Sequence, residues 1–581
     1  MQLRIFEYLQ NVLSNKIPNA IKMSPYAPFE SIVNIIRNGM KVVPARYRNK
    51  RVVYGIAMAA LTLDNLNVAG AMTTTFSIQE VFDTDYSTAS WVLSAYALTL
   101  GAFIIIFGKI GDIWGAHNVF LLGLIFMSVW SLLTAIPQKS IIAMIIFRAL
   151  QGIGAAALLP NGYSMAANYF QGPELEQAIR ILVIVVTASM GLGAVLGGAF
   201  SCTNVGYMGF FYFTFALSFV CSVLLYFLSI PVKRAEGQKN PRVRDLDFLG
   251  IIMLVTGLLL IIIALTESSM TWKTPKVYII LPVGCVLLVI MFWFESYFLT
   301  RYKRKHNRDK CIPHNMQLPR QQDPDFENQG KSIYGFFTRW MLNVELIFPA
   351  EVFKIPNLIP LLVGLSMVYF NFTTSIMILI QYHIYEEFNT PLMAAVKILP
   401  FPVGLVSGAM MYRESQTRKI GMRNMLLISS LVLVASSVWI SRTDYRARND
   451  YWKARFISQY ILGIAINRFF MVYLNCVMAS TPLNLQGLVS GIFNTFGQIF
   501  VALASAVVAT ILGLLEETSS NYKILQMQYH RFHNAFYTTI ASAVVYFIFM
   551  LMIKDPYKKK EVAKDKSEVS VALTEARGVK S

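Results

Sequence analysis

The sequence predicts an all-α membrane protein that crosses the bilayer fourteen times. Two observations carry this. The chain of 581 residues is 55% hydrophobic and only 14% charged, with a mean hydropathy of +0.51, whereas a soluble domain carries roughly a quarter charged residues. The apolar residues are also gathered into fourteen runs, each near the ~20 residues that a hydrocarbon core of ~30 Å requires. This composition excludes a disordered chain. In hydrocarbon each backbone polar group must be paired internally, so the runs predict helices. The short alternating pattern of barrel strands is absent.

In chain order the runs fall at 53–76, 88–108, 118–136, 141–163, 178–200, 208–230, 248–266, 277–298, 356–380, 391–412, 424–441, 455–478, 487–514 and 534–554. The first 52 residues are basic and polar-amphipathic, and the stretch 1–40 suits a membrane surface. They do not read as a cleavable leader, so span 1 is expected to serve as the insertion signal. The loop 299–355 opens with Arg301, Lys303, Arg304, Lys305 and Arg308 and turns polar through 320–332. It reads either as a basic juxtamembrane linker or as a regulatory, partner-binding segment. The Lys-rich tail 555–581 reads as disordered. Cysteines 202, 221, 285, 311 and 476 are scattered, three of them inside apolar runs, which argues against a disulfide framework. Cys311 and His314 form a lone Cys-x-x-His that reads as a loop without metal. Asn371-Phe372-Thr373 fits a glycosylation acceptor but falls inside span 9, beyond reach of the modifying machinery.

With fourteen spans both termini share one side. The loops on that side hold 37 Lys and Arg, against 9 in the opposite set. The positive-inside bias then predicts cytoplasmic termini. The net charge of +19 is accounted for as a basic surface against an anionic inner leaflet, not as a nucleic-acid face.

An ionisable group inside hydrocarbon costs ~2.5–3.5 kcal/mol on insertion scales. Those well inside a span are Asp64 in span 1, Arg148 in span 4, Lys397 in span 10 and Arg468 in span 12. Asp64 and Asn67 share a helix face at i,i+3, as do Arg148 and Gln151. Two compatible readings stand: these faces look into a water-filled cavity, or Asp64 and Arg148 form a buried ion pair that locks two helices. Asn371, Asn475, Asn494 and Gln498 extend the candidate cavity lining, with Asn494 and Gln498 forming a polar stripe at i,i+4 in span 13, where Gly487 and Gly491 precede them. Span 5 reads Gly191-Leu-Gly193-Ala-Val-Leu-Gly197-Gly198. Small residues at this spacing allow close packing, and equally allow helices to slide. Between spans 2 and 3, Gly108, Gly111 and Gly115 bracket Asp112, which suits a cap of span 3 or a neighbouring helix terminus.

These stretches resemble motifs of the major facilitator superfamily. Gly108 to Gly115 is similar to its loop signature G-x-x-x-D-x-x-G, and Arg148-Ala149-Leu150-Gln151-Gly152-Ile153-Gly154 to its span-4 motif. Gly193 to Gly198 resembles the antiporter motif G-P-x-x-G-G, with Ala194 in place of the proline. Asp247-Phe248-Leu249-Gly250, Trp272 and Glu295 resemble spans 7 and 8 of the fourteen-spanner drug:proton antiporters. Tyr96 to Gly101 and Leu158 to Asn161 resemble the fungal branch of aminotriazole-resistance, boron-efflux and low-affinity ammonium proteins. The resemblance covers roughly residues 50–555. Departures are Ala116, His117 and Asn118 where basic residues usually follow the loop signature, and Thr74-Thr75-Phe76 at the end of the span-1 motif.

The resemblance implies two six-helix bundles, 53–230 and 356–554, rocking about a central cavity, with two extra spans in the linker 231–298. A cytoplasmic segment 1–52, a cytoplasmic loop 299–355 and a cytoplasmic tail 555–581 complete the organisation. It implies proton coupling through Asp64 and Arg148, gating by the loop and span-5 glycines (Gly108, Asp112, Gly115, Gly193, Gly197 and Gly198), and a place in the plasma membrane, or alternatively the vacuole. The function expected is a proton-coupled exporter of a small solute. Arg148, Lys397 and Arg468 against Asp64 lean towards a neutral or anionic one. A proton-independent facilitator or importer, and a non-transporting sensor, are the alternatives. Partners expected are the solute, protons and lipid, with a monomeric chain. No enzyme, cofactor or metal site is expected, since no Gly-rich loop ending in Gly-Lys-Ser/Thr occurs and no metal-ligand spacing stands out.

Overall fold

The apolar runs become helices because their backbone can pair only with itself in hydrocarbon. The computed structural model describes residues 44, 48–136, 139–171, 173–230, 247–267, 275–303, 341, 344, 352–442, 450–481, 486–513 and 522–554. The first bundle holds α1 (Lys50–Phe82), α2 (Tyr86–Trp114), α3 (Ala116–Ala135), α4 (Ile141–Ala156), α5 (Leu158–Tyr169), α6 (Pro173–Ser201) and α7 (Tyr207–Leu228). Then come α8 (Phe248–Glu267) and α9 (Pro275–Trp293). The second bundle holds α10 (Leu358–Tyr385), α11 (Pro391–Ile398), α12 (Pro400–Met411), α13 (Glu414–Ile420), α14 (Met422–Ser441), α15 (Phe456–Ser480), α16 (Gln486–Leu512) and α17 (Tyr522–Leu551). Among the described residues, 13 helical stretches are long and apolar enough to cross a bilayer, and α8 adds a shorter apolar stretch, Leu249–Ile261.

Local chemistry sets the ends. Asn49, Asp85, Ser140 and Thr390 each accept a backbone N–H in the first turn of the helix they start. Helix α1 runs on past residue 76 and stops at Asp83, whose φ is 47°. The fourth span is broken at Ala157, between α4 and α5, where the ring of Pro160 crowds the Ala156 carbonyl. The tenth is broken at Leu399 ahead of Pro400 and Pro402. The two bundles share a device: Gly115 before α3 and Gly421 before α14 have φ of 93° and 88°, a conformation that side chains disfavour.

Within the first bundle α1 packs along α6, α2 on α4, and α3 on α7. In the second, α10 packs on α17, α12 on α15, and α14 on both α15 and α17. The bundles meet along α2 and α16, and along α6 with α11 and α12. Helices α8 and α9 pair with each other, and α8 leans on α16 and α2. Large apolar side chains cover the outside, such as Val289 at 67% exposure, while Asn67, Gln151 and Asn371 are fully buried. That is the reverse of a water-soluble surface, and it suits a lipid one.

The stretch 1–40, Trp272, Cys311, His314, most of the loop 299–355 and the tail 555–581 lie outside the described residues, as does the side chain of Asp112. The side of the molecule where Asn357 bonds Lys554, and Lys50 meets Glu174, is called the terminal side below, and its opposite the far side.

Candidate functional site

The site is built where α1, α2 and α4 converge. Gly152 lets α4 press on α2: a Cβ there would lie 2.3 Å from Thr99 Oγ1 and 2.4 Å from the Tyr96 carbonyl oxygen. The Thr99 hydroxyl seals the contact by donating to the Ala149 carbonyl at 2.7 Å. This approach brings Arg148 over the Tyr96 ring, 4.3 Å from its centroid, with Phe211 at 5.2 Å. The Tyr96 hydroxyl donates to Asp64 Oδ1 at 2.6 Å. Asp64 and Arg148 therefore form no direct ion pair: Tyr96 touches both.

The guanidinium is otherwise held by neutral groups. Arg148 Nε donates to the Val92 carbonyl at 3.1 Å, and Nη1 to Gln151 Oε1 at 2.6 Å. Gln151 Nε2 passes the chain to Asn67 Oδ1 at 3.3 Å, and Asn67 Nδ2 donates to the Leu63 carbonyl at 2.8 Å. Arg148 Nη2 is buried with no hydrogen-bond partner, a costly state for a charged donor. Neither ionisable side chain faces lipid, since Arg148 is 0% and Asp64 9% exposed. Across the bundle boundary Tyr369 of α10 lies within electrostatic reach of Asp64, and Tyr163 of α5 within reach of Tyr369 and Tyr473. Phe470 and Phe372 pack on Tyr369 at 5.4 and 6.2 Å between centroids, so the second bundle contributes an aromatic wall.

The span-5 glycines serve two partners. Cβ atoms on Gly193 and Gly197 would strike the backbone of α1, at Leu66 and Gly70. One on Gly198 would lie 2.7 Å from the Pro391 carbonyl in the other bundle, and one on Gly191 would meet Pro402. Thr73 bridges α1 to the Ala194 carbonyl at 3.0 Å. The void left between the bundles here, bordered by Ala69, Ala194 and Ala395, is about 10 Å³, room for about one water. Nearer the far side Tyr385 closes on Phe76, 6.3 Å between centroids, and on Gln79. At the terminal side Gly108 sits beside Pro160, and Gly115 forms the positive-φ turn already described.

The remaining predicted residues go elsewhere. Lys397 reaches the far side, where its ammonium bonds Glu387 Oε2 at 2.8 Å. Glu387 also takes His383 Nδ1 at 2.7 Å, Asn389 Nδ2 at 2.9 Å and the Arg455 guanidinium, and Arg455 reaches Asp450 at 3.2 Å. Burial pushes the Glu387 carboxyl up, but His383, Lys397 and Arg455 outweigh it and hold the group below the ordinary carboxylate range. Arg468 lies towards the terminal side, donating to Gln416 Oε1 at 3.0 Å and the Met411 carbonyl at 3.3 Å. Asn475 is exposed and donates to the Tyr412 hydroxyl at 2.8 Å. Asn371 is enclosed within the second bundle, donating to Thr539 and to the Ser437 and Ser542 hydroxyls. Gln498 lies on the contact of α16 with Gly101 of α2, and Asn494 is half-buried one turn away. Of the extra pair, Asp247 caps α8 through the Gly250 N–H at 2.9 Å, and Glu295 is buried against Gly250. Lys397, Arg468, Asn475 and Asn371 are thus not brought to Asp64. Two expectations are corrected: the direct ion pair is replaced by the Tyr96 bridge, and the cations counted with Arg148 do not gather around it.

Sequence reasoning missed Tyr96, Glu387, His383 and Arg455. Tyr96 is one of 28 tyrosines, and an aromatic inside a span reads as packing. Glu387 lies in a loop outside the spans, where no insertion cost singles it out.

Comparison with known proteins gives the family and the fold. The family model described as Major Facilitator Superfamily matches residues 54–505. The low affinity ammonium transporter of Saccharomyces cerevisiae is 33% identical over 216 residues, covering 36% of this chain and 41% of that protein. The aminotriazole resistance protein of the same yeast is 27% identical over 242 residues, covering 40% and 44%. An efflux pump of Aspergillus terreus is 31% identical over 218 residues, covering 36% and 41%. The chain thus spans 41–44% of the length of these curated relatives. Among solved structures, one of the proton dependent oligopeptide transporters matches with a TM-score of 0.52 at 11% identity, covering 86% of this chain and 98% of that one. A peptide transporter in complex with sulfate matches at 0.53 and 12% identity, covering 85% and 93%. At such identities the likeness is one of fold.

Proposed function

The chain belongs to the major facilitator superfamily, and on that premise we propose that it is a proton-coupled secondary transporter that exports a small solute by alternating access. The observation that supports this most is the Asp64–Tyr96–Arg148 contact beside the bundle boundary. A carboxylate in a low-dielectric setting binds its proton according to desolvation, hydrogen bonds and nearby cations. Rocking the second bundle away changes the water and the aromatic neighbours around Asp64, while Tyr96 and Arg148 stay with the first bundle. Proton affinity then differs between the two states, which is what coupling needs.

The proposed solute is small and neutral. The lean towards anions depended on Lys397 and Arg468, which are engaged elsewhere, so the neutral half of that expectation is carried forward. The aromatic wall of Tyr369, Phe372 and Phe470 suits a planar molecule, and a relative named for aminotriazole resistance points the same way. The basic terminal side supports cytoplasmic termini, and a place in the plasma membrane and a monomeric chain complete the proposal.

The test uses proteoliposomes with an acidic interior and radiolabelled aminotriazole as the probe. The native protein should accumulate label, and a protonophore should abolish the accumulation. Flux that ignores the imposed gradient would instead select a facilitator, a second reading favoured by the unbroken course of α6 through Ala194.

A further inference from the structure

On the terminal side of the second bundle, α13, α14 and α15 enclose a groove of about 310 Å³. Its wall is apolar: Ile420, Met425, Ile428, Val432, Ile464 and Ala465 line it, and Ile428 and Ile420 remain 50% and 42% exposed, so it opens to the outside of the bundle. Met425, Ile428 and Val432 follow helical spacing down one face of α14. At the polar end stand Arg468 and Gln416. Arg468 donates to neutral oxygens, of Gln416 and Met411. Arg413 and Lys419, both exposed, lie in the same stretch between α12 and α14 as Gln416.

A permanent cation in a span, half-buried, bound to neutral groups and heading an apolar groove that opens sideways, calls for an anionic head with an apolar tail. We propose that this groove is a binding site for an anionic phospholipid of the leaflet on the terminal side. The phosphate would be held by Arg468 under the basic rim, and an acyl chain would lie along Ile428, Val432 and Ile464. Charge complementarity selects this occupant over a zwitterionic lipid, which brings no net negative charge to Arg468, Arg413 and Lys419. The length and apolar character of the groove select it over a free phosphate ion. Occupancy would tie α13 to α14 and α15. The inference does not depend on the transport reading.

The test reconstitutes the full chain into phosphatidylcholine vesicles that contain a trace of phosphatidylserine with a photoreactive acyl chain, and maps the crosslinked peptides. The label should fall on α14 and α15 around Ile428 and Ile464. Unlabelled phosphatidylserine should compete, and phosphatidylcholine and inorganic phosphate should not. Arg468→Gln should lower labelling roughly fivefold, the weight of one basic residue near an anionic surface. Ile464→Trp, which fills the groove and keeps the cation, should lower it as well, with thermal melting of both variants confirming an intact fold. Equal labelling by photoreactive phosphatidylcholine, competition by inorganic phosphate, or labelling unchanged in both variants would overturn the proposal.

Discussion

Tyr96 acts on two charges with two different parts of one side chain. Its hydroxyl donates to Asp64, and its ring carries Arg148. Tyr96→Phe separates these roles, because the ring stays and the donor is lost. A hydrogen bond to a charged group is worth about 1.5–3 kcal/mol, so gradient-driven accumulation should fall roughly tenfold or more. Its pH profile should shift, and the melting temperature should move little. An unaltered pH profile would reduce Tyr96 to packing. At the far side, Glu387→Gln leaves the nearly buried Arg455 guanidinium with Asp450 as its carboxylate partner, and breaking such a pair costs about 3 kcal/mol or more. Because its neighbours hold the Glu387 carboxyl below its ordinary range, this stability is present above the unfolded value near 4.5 and is lost as pH falls through the lower folded value. The melting difference between native and variant should therefore be full at pH 7 and shrink in acid. Asp64 and Arg148 were legible in the sequence because charges in hydrocarbon need a reason. Lys397 was legible for the same cause, but its partner was not, since Glu387 sits in a loop and meets it only in the folded chain.

Helix α6 shows how one glycine-rich stretch can be both fixed and movable. Gly193 faces the backbone of α1, and Gly198 faces the other bundle. Gly193→Ala would place its Cβ 2.5 Å from the Leu66 carbonyl oxygen, and overpacking of this kind costs about 1–3 kcal/mol. It should lower thermal stability in every state. Gly198→Ala should instead favour the state in which α6 and α11 part, raising far-side reactivity of a cysteine placed at Ala395 towards an impermeant thiol reagent. Equal effects of both substitutions on stability, with no gain in reactivity, would remove the distinction. The membrane-crossing helices were legible from apolar runs, since hydrocarbon leaves the backbone no alternative, whereas the short polar α13 lies between two runs and was not. Their ends and breaks were not: α1 continues to Phe82 and stops at Asp83, and the breaks at Ala157 and Leu399 follow from prolines that the hydropathy of a run does not weigh.

At the scale of the molecule, the far side is shut by contacts between bundles: Gly198 on Pro391, and Phe76 and Gln79 on Tyr385. Crosslinking the pair Phe76→Cys and Tyr385→Cys should hold this closed state, stop transport, and release it on reduction. Transport that continues under the crosslink would mean that the bundles need not part there. The division into bundles with an added pair was legible only through motif resemblance, because spacing alone does not say which helices pack together. The most direct measurement is accumulation of labelled aminotriazole against its own gradient, driven by an imposed pH gradient, in vesicles containing the Asp64→Asn protein. We expect no uphill accumulation, with counterflow exchange retained. Uphill accumulation equal to that of the native chain would contradict the assignment of Asp64 as the proton-coupling group.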